Sequence, residues 1–123
     1  MHKANTQSNT KTAQAHLQFL PDDDLLELIQ HQTFRYFWEF AHPNCGMARE
    51  RNREEYKDVV TTGGSGFGLM GMVVAAERNW ISKEDFVKRI NQILDFFFHC
   101  EKYHGAFSHW YNGNSGKTIR FGK

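Results

Sequence analysis

From Phe67 to Ala76 the chain reads FGLMGMVVAA, ten consecutive residues without a charge. A run of that length is too long for an ordinary strand and too short for a membrane span, so it predicts a buried helix ending near Asn79. The helix is entered through TTGGSGFGLMG (Thr61 to Gly71), in which five of eleven residues are glycine. Each glycine inside a helix costs roughly 0.5–1 kcal/mol relative to alanine. Gly66, Gly68 and Gly71 together therefore need something worth roughly 2–3 kcal/mol to offset them. Two explanations remain open from the residues alone. One is close packing of a neighbouring element. The other is approach of a ligand to a helix N-terminus, where Thr61, Thr62 and Ser65 supply hydroxyls beside free N–H groups.

Gly66-Phe67-Gly68-Leu69-Met70-Gly71 also matches the dinucleotide-binding pattern G-x-G-x-x-G. That reading needs a second strand ending in an acid about twenty residues later. Only Trp80-Ile81 stands there, and Glu84 and Asp85 fall in the first turn of a further helix. The pattern is therefore set aside.

The rest of the chain points to an all-α framework. FLPDDDLLELIQ opens a helix, with Asp22, Asp23 and Asp24 offsetting the helix dipole in its first turn. Leu25, Ile29, Thr33, Tyr36, Phe37 and Phe40 make one stripe, and Glu27, His31, Arg35 and Glu39 the opposing polar one. Phe34 and Trp38 widen the apolar face, so the second half should be covered on most sides. Cys45 to Thr62 has no sustained period and reads as a long loop with an extended piece at Val59-Val60. Ser82 is an N-cap for a helix carrying Phe86, Ile90, Ile93, Leu94 and Phe97 at helical spacing and reaching about Lys102. Asn112-Gly113 and Ser115-Gly116 are turn signals, which predicts a short hairpin between 107–111 and 117–121.

At 123 residues, with 40% hydrophobic and 24% charged residues, the chain is one domain or part of one and should fold. A net charge of +1 offers no electrostatic footprint for nucleic acid or an anionic membrane. No apolar run approaches a membrane span. Residues 1–18 read as a polar, flexible tail; the first sixteen lack the apolar core of a signal peptide. Aromatic residues reach 15%, enough for a thick core or a cleft lined with rings.

Several clusters carry possible chemistry. His42, Cys45, Cys100 and His104 contain the residue types of a Cys2His2 zinc set, but the two pairs are far apart and unmatched in spacing. RERNREE (Arg49 to Glu55) is a solvated loop or a source of guanidinium groups for a ligand's oxygens. HGAFSHWYNG gathers His104, His109, Trp110 and Tyr111, either to stack on a sugar face or to pack as a lid on the core.

Three segments together carry a resemblance: LLELIQHQTFRYFWEFAHPNCGMARER, DVVTTGGSGFGLMGMVVAAERNWISKEDFVKRI and HGAFSHWYNGNSGKTIRF. In order and without large gaps over residues 19–123, they resemble the start of the catalytic domain of the glycoamylase-like glycoside hydrolases, a group that includes bacterial endo-β-1,2-glucanases. The resemblance implies the N-terminal portion of an (α/α)6 barrel, with a short β-hairpin near the C-terminus of this chain. It places Thr61–Gly68 at the entry to an inner helix on the cleft side. Arg49, Glu50, Arg51, Asp58, Thr62, Gly64, Phe67, His104, His109 and Trp110 fall in the family's motif segments and are carried over as substrate-binding candidates. Met47 stands where Leu is usual. Ser108 replaces a usual Pro before His109-Trp110, which should loosen that loop.

The implied activity is hydrolysis of a glucan, with β-1,2-glucan as the substrate, by paired carboxylates and without metal or organic cofactor. The alternative is a non-catalytic carbohydrate-binding or interaction module of the same fold. The family's acidic segment, of the type D-D-x-x-D-L-V-E, is not among these residues. The expectation is therefore that only the first three helices are present, that no residue here is catalytic and that Glu50 and Asp58 orient substrate or a neighbouring Arg. Helices left without partners should make the isolated chain self-associate. The resemblance also suggests a periplasmic or secreted protein.

Overall fold

The computed structural model describes residues 19–120; the predicted tail, residues 1–18, lies outside them. The chain divides at Gln32 into two units. The first contributes the start of helix α1 (Asp22–Trp38), whose first turn carries Asp22, Asp23 and Asp24 and closes with the Leu25 N–H donating to the Pro21 carbonyl at 2.9 Å.

The second unit holds the rest of the described chain. α1 ends there, with Arg35 making two hydrogen bonds to the Glu39 carboxylate, at 2.8 and 2.7 Å. A short 3-10 turn (Glu54–Tyr56) precedes strand β1 (Val59–Thr61), helix α2 (Thr62–Glu77) and helix α3 (Lys83–His99). Strands β2 (Lys102–Tyr103), β3 (Ala106–Phe107) and β4 (Trp110–Asn112) follow. α3 begins as its sequence predicts: the Ser82 hydroxyl accepts the Asp85 N–H at 3.0 Å. It stops at His99, three residues short of the predicted end, because Cys100 adopts extended backbone.

The core gathers Phe34, Cys45, Met47, Val60, Met72, Ala75, Ile93, Cys100 and Tyr111. Phe34 lies against the rings of Trp38 and Trp80 at centroid distances of 5.9 and 5.8 Å. The buried centre of this part of α1 is thus Phe34, a residue the sequence reading treated as an addition to the stripe.

α2 corrects a second expectation. It is helical over the uncharged run, and it buries Ser65, Gly68, Met72, Ala75 and Ala76. Yet Phe67, Met70, Val73 and Val74 are exposed, Phe67 to 72%. Apolar composition all round a helix sets what it would bury, not what the described residues place against it. The glycines separate in the same way. A Cβ on Gly68 would stand 3.0 Å from Phe37 Cδ1, so close packing accounts for that position. Gly66 meets nothing within 4 Å. Gly66→Ala should therefore stabilise the protein by about 0.5–1 kcal/mol, read as a raised denaturant midpoint; a lowered midpoint would show a constraint there that packing does not contain.

The strands carry the third correction. The tight hairpin is β2–β3, with Lys102 opposite Phe107 and Tyr103 opposite Ala106. Its two-residue turn is His104-Gly105, both at positive φ (49° and 84°), as such turns require. β4 does not fold back on β2 or β3. It pairs antiparallel with β1, Val60 opposite Tyr111. Among the described residues, which leave out Phe121, the expected pairing of 107–111 with 117–121 survives as a single bridge, Tyr111 to Thr118, beside the Ile119 N–H donating to the Trp110 carbonyl. Three-residue strands carry no period, so only the distant partner defines them.

Candidate functional site

β1 is the centre of the site. On one side Arg49 bridges to Val60, with the Glu50 N–H donating to the Val59 carbonyl and the Thr61 N–H to the Ala48 carbonyl. On the other side β4 is paired with it. Residues 48–50, 59–61, 110–112 and 117–119 therefore make one narrow ribbon, and α2 leaves its end at Thr62. Ser65, one turn into α2, ties helix to ribbon: its buried hydroxyl donates to the Thr61 carbonyl at 2.6 Å and accepts the Ala48 N–H at 3.0 Å.

This arrangement brings six of the predicted site residues together. Trp110 Nε1 donates to Glu50 Oε2 at 2.9 Å, and Arg51 Nη2 lies 3.8 Å from Glu50 Oε1. The Arg51 guanidinium also stands 4.9 Å over the Tyr56 ring. His109 meets Trp110 edge to face at 4.2 Å. Thr62 holds this pair from the helix side, its hydroxyl donating to the Ser108 carbonyl at 2.6 Å and its N–H to the His109 carbonyl at 3.0 Å. The His109 ring lies over Gly63, whose Cβ would sit 3.9 Å from His109 Cε1. Gly64 lies on the same first turn, against Thr61 and Ala48.

The other candidates stand apart. Arg49 turns towards α1: its guanidinium lies 4.7 Å over the Phe40 ring, and its carbonyl accepts the Tyr36 hydroxyl at 2.8 Å. Burial pushes the Tyr36 phenol up from its ordinary range. Phe67 is on the exposed face of α2, and His104 is at the exposed tip of the β2–β3 turn.

Asp58 faces His42. His42 is 1% exposed; its Nδ1 accepts the Asn44 N–H at 3.3 Å, so Nε2 carries the proton, which points at Asp58 Oδ1 at 3.3 Å. That hydrogen bond is the main reason the Asp58 carboxyl is held below its usual range. A carboxyl with a depressed folded pKa adds stability above its unfolded pKa and loses it as pH falls through the folded one. Unfolding free energy should therefore fall more steeply for the unaltered protein than for Asp58→Asn between ~pH 5 and ~pH 2. Parallel curves in acid denaturation would show that Asp58 contributes nothing there.

Sequence reasoning names Ser65 only as a hydroxyl beside a ligand and Tyr36 only as part of an apolar stripe; for Tyr111 it leaves stacking or core packing open, and the fully buried ring decides for the core. It misjudged Ser108. The Ser108 N–H donates to the Tyr111 hydroxyl at 2.7 Å, a bond no proline makes, so the position is tied down rather than loosened.

Cys45 and Cys100 are buried free thiols, and burial pushes the Cys45 thiol up to about 11. Among the described residues no three His, Cys, Asp or Glu side chains form a group able to hold a metal, and no helix is long and apolar enough to cross a membrane.

Comparison with known proteins places this arrangement in context. An exo β-1,2-glucooligosaccharide sophorohydrolase (non-reducing end) from Parabacteroides distasonis is 41% identical over 117 residues, covering 95% of this chain and 16% of the relative. The structure of an endo-β-1,2-glucanase from Chitinophaga pinensis, in complex with sophorotriose and glucose, is 40% identical with a TM-score of 0.79, over 85% of this chain and 26% of that one. A β-1,2-glucanase structure from Parabacteroides distasonis is 43% identical with a TM-score of 0.79, over 83% of this chain and 14% of that one. The chain thus spans about a quarter or less of these relatives and matches the N-terminal part of glucoamylase-like barrel proteins. The family model described as "Protein of unknown function (DUF3131)" matches residues 29–123, and the chain belongs to that family.

Proposed function

We propose that this chain forms one wall of the substrate cleft in a barrel glycoside hydrolase that cleaves β-1,2-glucan. The observation that carries the reading is the Glu50–Trp110 pair. Hydrogen bonding to the indole fixes a partly exposed carboxylate beside an exposed histidine and a half-buried tryptophan ring, at the first turn of α2. An aromatic ring suits the apolar face of a sugar, while Glu50 and Arg51 suit its hydroxyls. The similarity to proteins named for β-1,2-glucans points to the same substrate class.

The carboxylates described here do not suit the chemistry itself. Glycoside hydrolysis needs two carboxyl groups across the scissile bond, one of them to protonate the leaving oxygen. Glu50 is engaged by Trp110 and Arg51, and Asp58 by His42. In this proposal Glu50, Arg51, Thr62, His109 and Trp110 bind and orient the glucan, Gly64 lets the first turn of α2 come close, and Asp58 supports the ribbon from behind. Arg49 packs instead on Phe40, and Phe67 and His104 stand exposed on α2 and at the β2–β3 turn. The carboxyls that cleave belong to residues outside this chain.

In the full-length protein, Trp110→Ala should raise the Kd for β-1,2-glucooligosaccharides by at least about fivefold, since a ring contact contributes on the order of 1 kcal/mol. The unfolding midpoint should move less than the affinity. Loss of stability with unchanged affinity would make Trp110 a core residue. Release of reducing ends from other glucans but not from β-1,2-glucan would refute the substrate assignment.

A further inference from the structure

Tyr111 is enclosed to 0% exposure, yet its hydroxyl makes two hydrogen bonds. On β4 it alternates with Trp110 and Asn112, so it faces the core while they face the other way. The ring packs edge-on against Phe96 at 5.8 Å and 84°. A phenylalanine would serve that packing equally. The hydroxyl accepts the Ser108 N–H at 2.7 Å and donates to the Glu101 carbonyl at 2.7 Å. Both bonds end on backbone, at the two ends of the segment that carries the β2–β3 hairpin. A buried hydroxyl with both roles used avoids the desolvation cost of an unpaired one, and it fixes the chain segments it joins.

Ser108 is gripped from the opposite side as well, its carbonyl taking the Thr62 hydroxyl at 2.6 Å. The residue before His109-Trp110 is therefore clamped at its N–H by Tyr111 and at its C=O by Thr62. From there Trp110 reaches Glu50. We propose that Tyr111 is a positioning residue: its hydroxyl, acting through the Ser108 N–H, sets where His109 and Trp110 stand and so delivers the Trp110 indole to Glu50. For its effect on affinity, though not for its geometry, this rests on the glucan-cleft reading.

The bond uses backbone of Ser108, which separates it from any role of the serine side chain. Ser108→Ala keeps the N–H, Ser108→Pro removes it, and Tyr111→Phe removes its acceptor. The full-length protein labelled with 5-fluorotryptophan reports the result in its fluorine spectrum, in which Trp110→Phe identifies the Trp110 signal. Tyr111→Phe and Ser108→Pro should each move that signal and raise its solvent isotope shift, with the Trp38 and Trp80 signals unmoved. Ser108→Ala should move none. Tyr111→Phe should also raise the glucan Kd by up to about fivefold, the effect of losing the Trp110 ring contact.

A folded Tyr111→Phe protein with an unmoved Trp110 signal overturns the proposal. A moved signal with unchanged glucan affinity upholds the positioning role and instead refutes the cleft reading. Should both variants fail to fold, amide exchange in the unaltered protein decides: a protected Ser108 N–H is expected, and one exchanging as freely as the exposed His104-Gly105 turn overturns the assignment.

Discussion

Replacing Gly46 with alanine should lower the unfolding free energy by about 3 kcal/mol. Gly46 has φ +71°, and an L residue held there loses roughly 1–2 kcal/mol. Space makes the change worse. The added Cβ would sit 2.7 Å from Arg89 Cδ, 2.9 Å from Gln92 Oε1 and 3.2 Å from Ile93 Cγ1. Those side chains are not idle. Arg89 Nη1 donates to the Trp38 carbonyl at 3.1 Å, with its guanidinium 4.4 Å over the Trp38 ring, and Gln92 Nε2 donates to the Pro43 carbonyl at 2.8 Å. Moving them releases the end of α1 and the 43–46 turn from α3. Ile93 is fully buried and has nowhere to go. Denaturant unfolding checks this, and a loss below about 1 kcal/mol would mean that the turn relaxes without disturbing α3.

The second large effect is expected at Gly113, where alanine should cost about 2 kcal/mol. Its Cβ would stand 2.7–2.8 Å from Cγ, Cδ2 and Nδ1 of His42. The imidazole cannot step aside, because Asn44 and Asp58 hold its two nitrogens and it is buried. The Gly113 N–H meanwhile donates to the Asp58 carbonyl, so the ribbon resists retreat as well. A double-mutant cycle separates crowding from other causes. In a His42→Ala background the Gly113→Ala penalty should shrink by at least half. Strict additivity would place the cost in the backbone of the 112–116 turn instead.

What the sequence disclosed followed range. Ser82 with Asp85 and the triple aspartate at the start of α1 announce helix starts because a cap acts within three or four residues. The extended piece at Val59-Val60 was visible; its partner was not, since nothing local in three residues names a strand beyond two helices. The same limit hid Tyr111, whose hydroxyl partners are backbone groups at Glu101 and Ser108. His109, Trp110, Thr62 and Arg51 stand out from the residues as well as from the family resemblance, Glu50 from the resemblance, and the structure gathers them. That resemblance gave no means of separating Asp58, drawn off by a buried histidine, or Arg49, drawn off by Phe40. Charge and ring character mark residues able to meet a ligand; which of them instead meet a neighbour is decided by tertiary packing.

The β1–β4 pairing also orders events on the ribosome. Val60 and Tyr111 are opposite one another in the ribbon but about 50 residues apart in the chain. At a synthesis rate of ~5–20 residues per second, β1 waits roughly 3–10 s for its partner. α2 and α3, made in that interval from local contacts, can form first, while closing the long loop that brings β4 home comes later. The Glu50–Trp110 pair thus forms only after both helices have been made, and a nascent chain stalled before Trp110 displays the free edge of β1 to whatever strand or chaperone meets it.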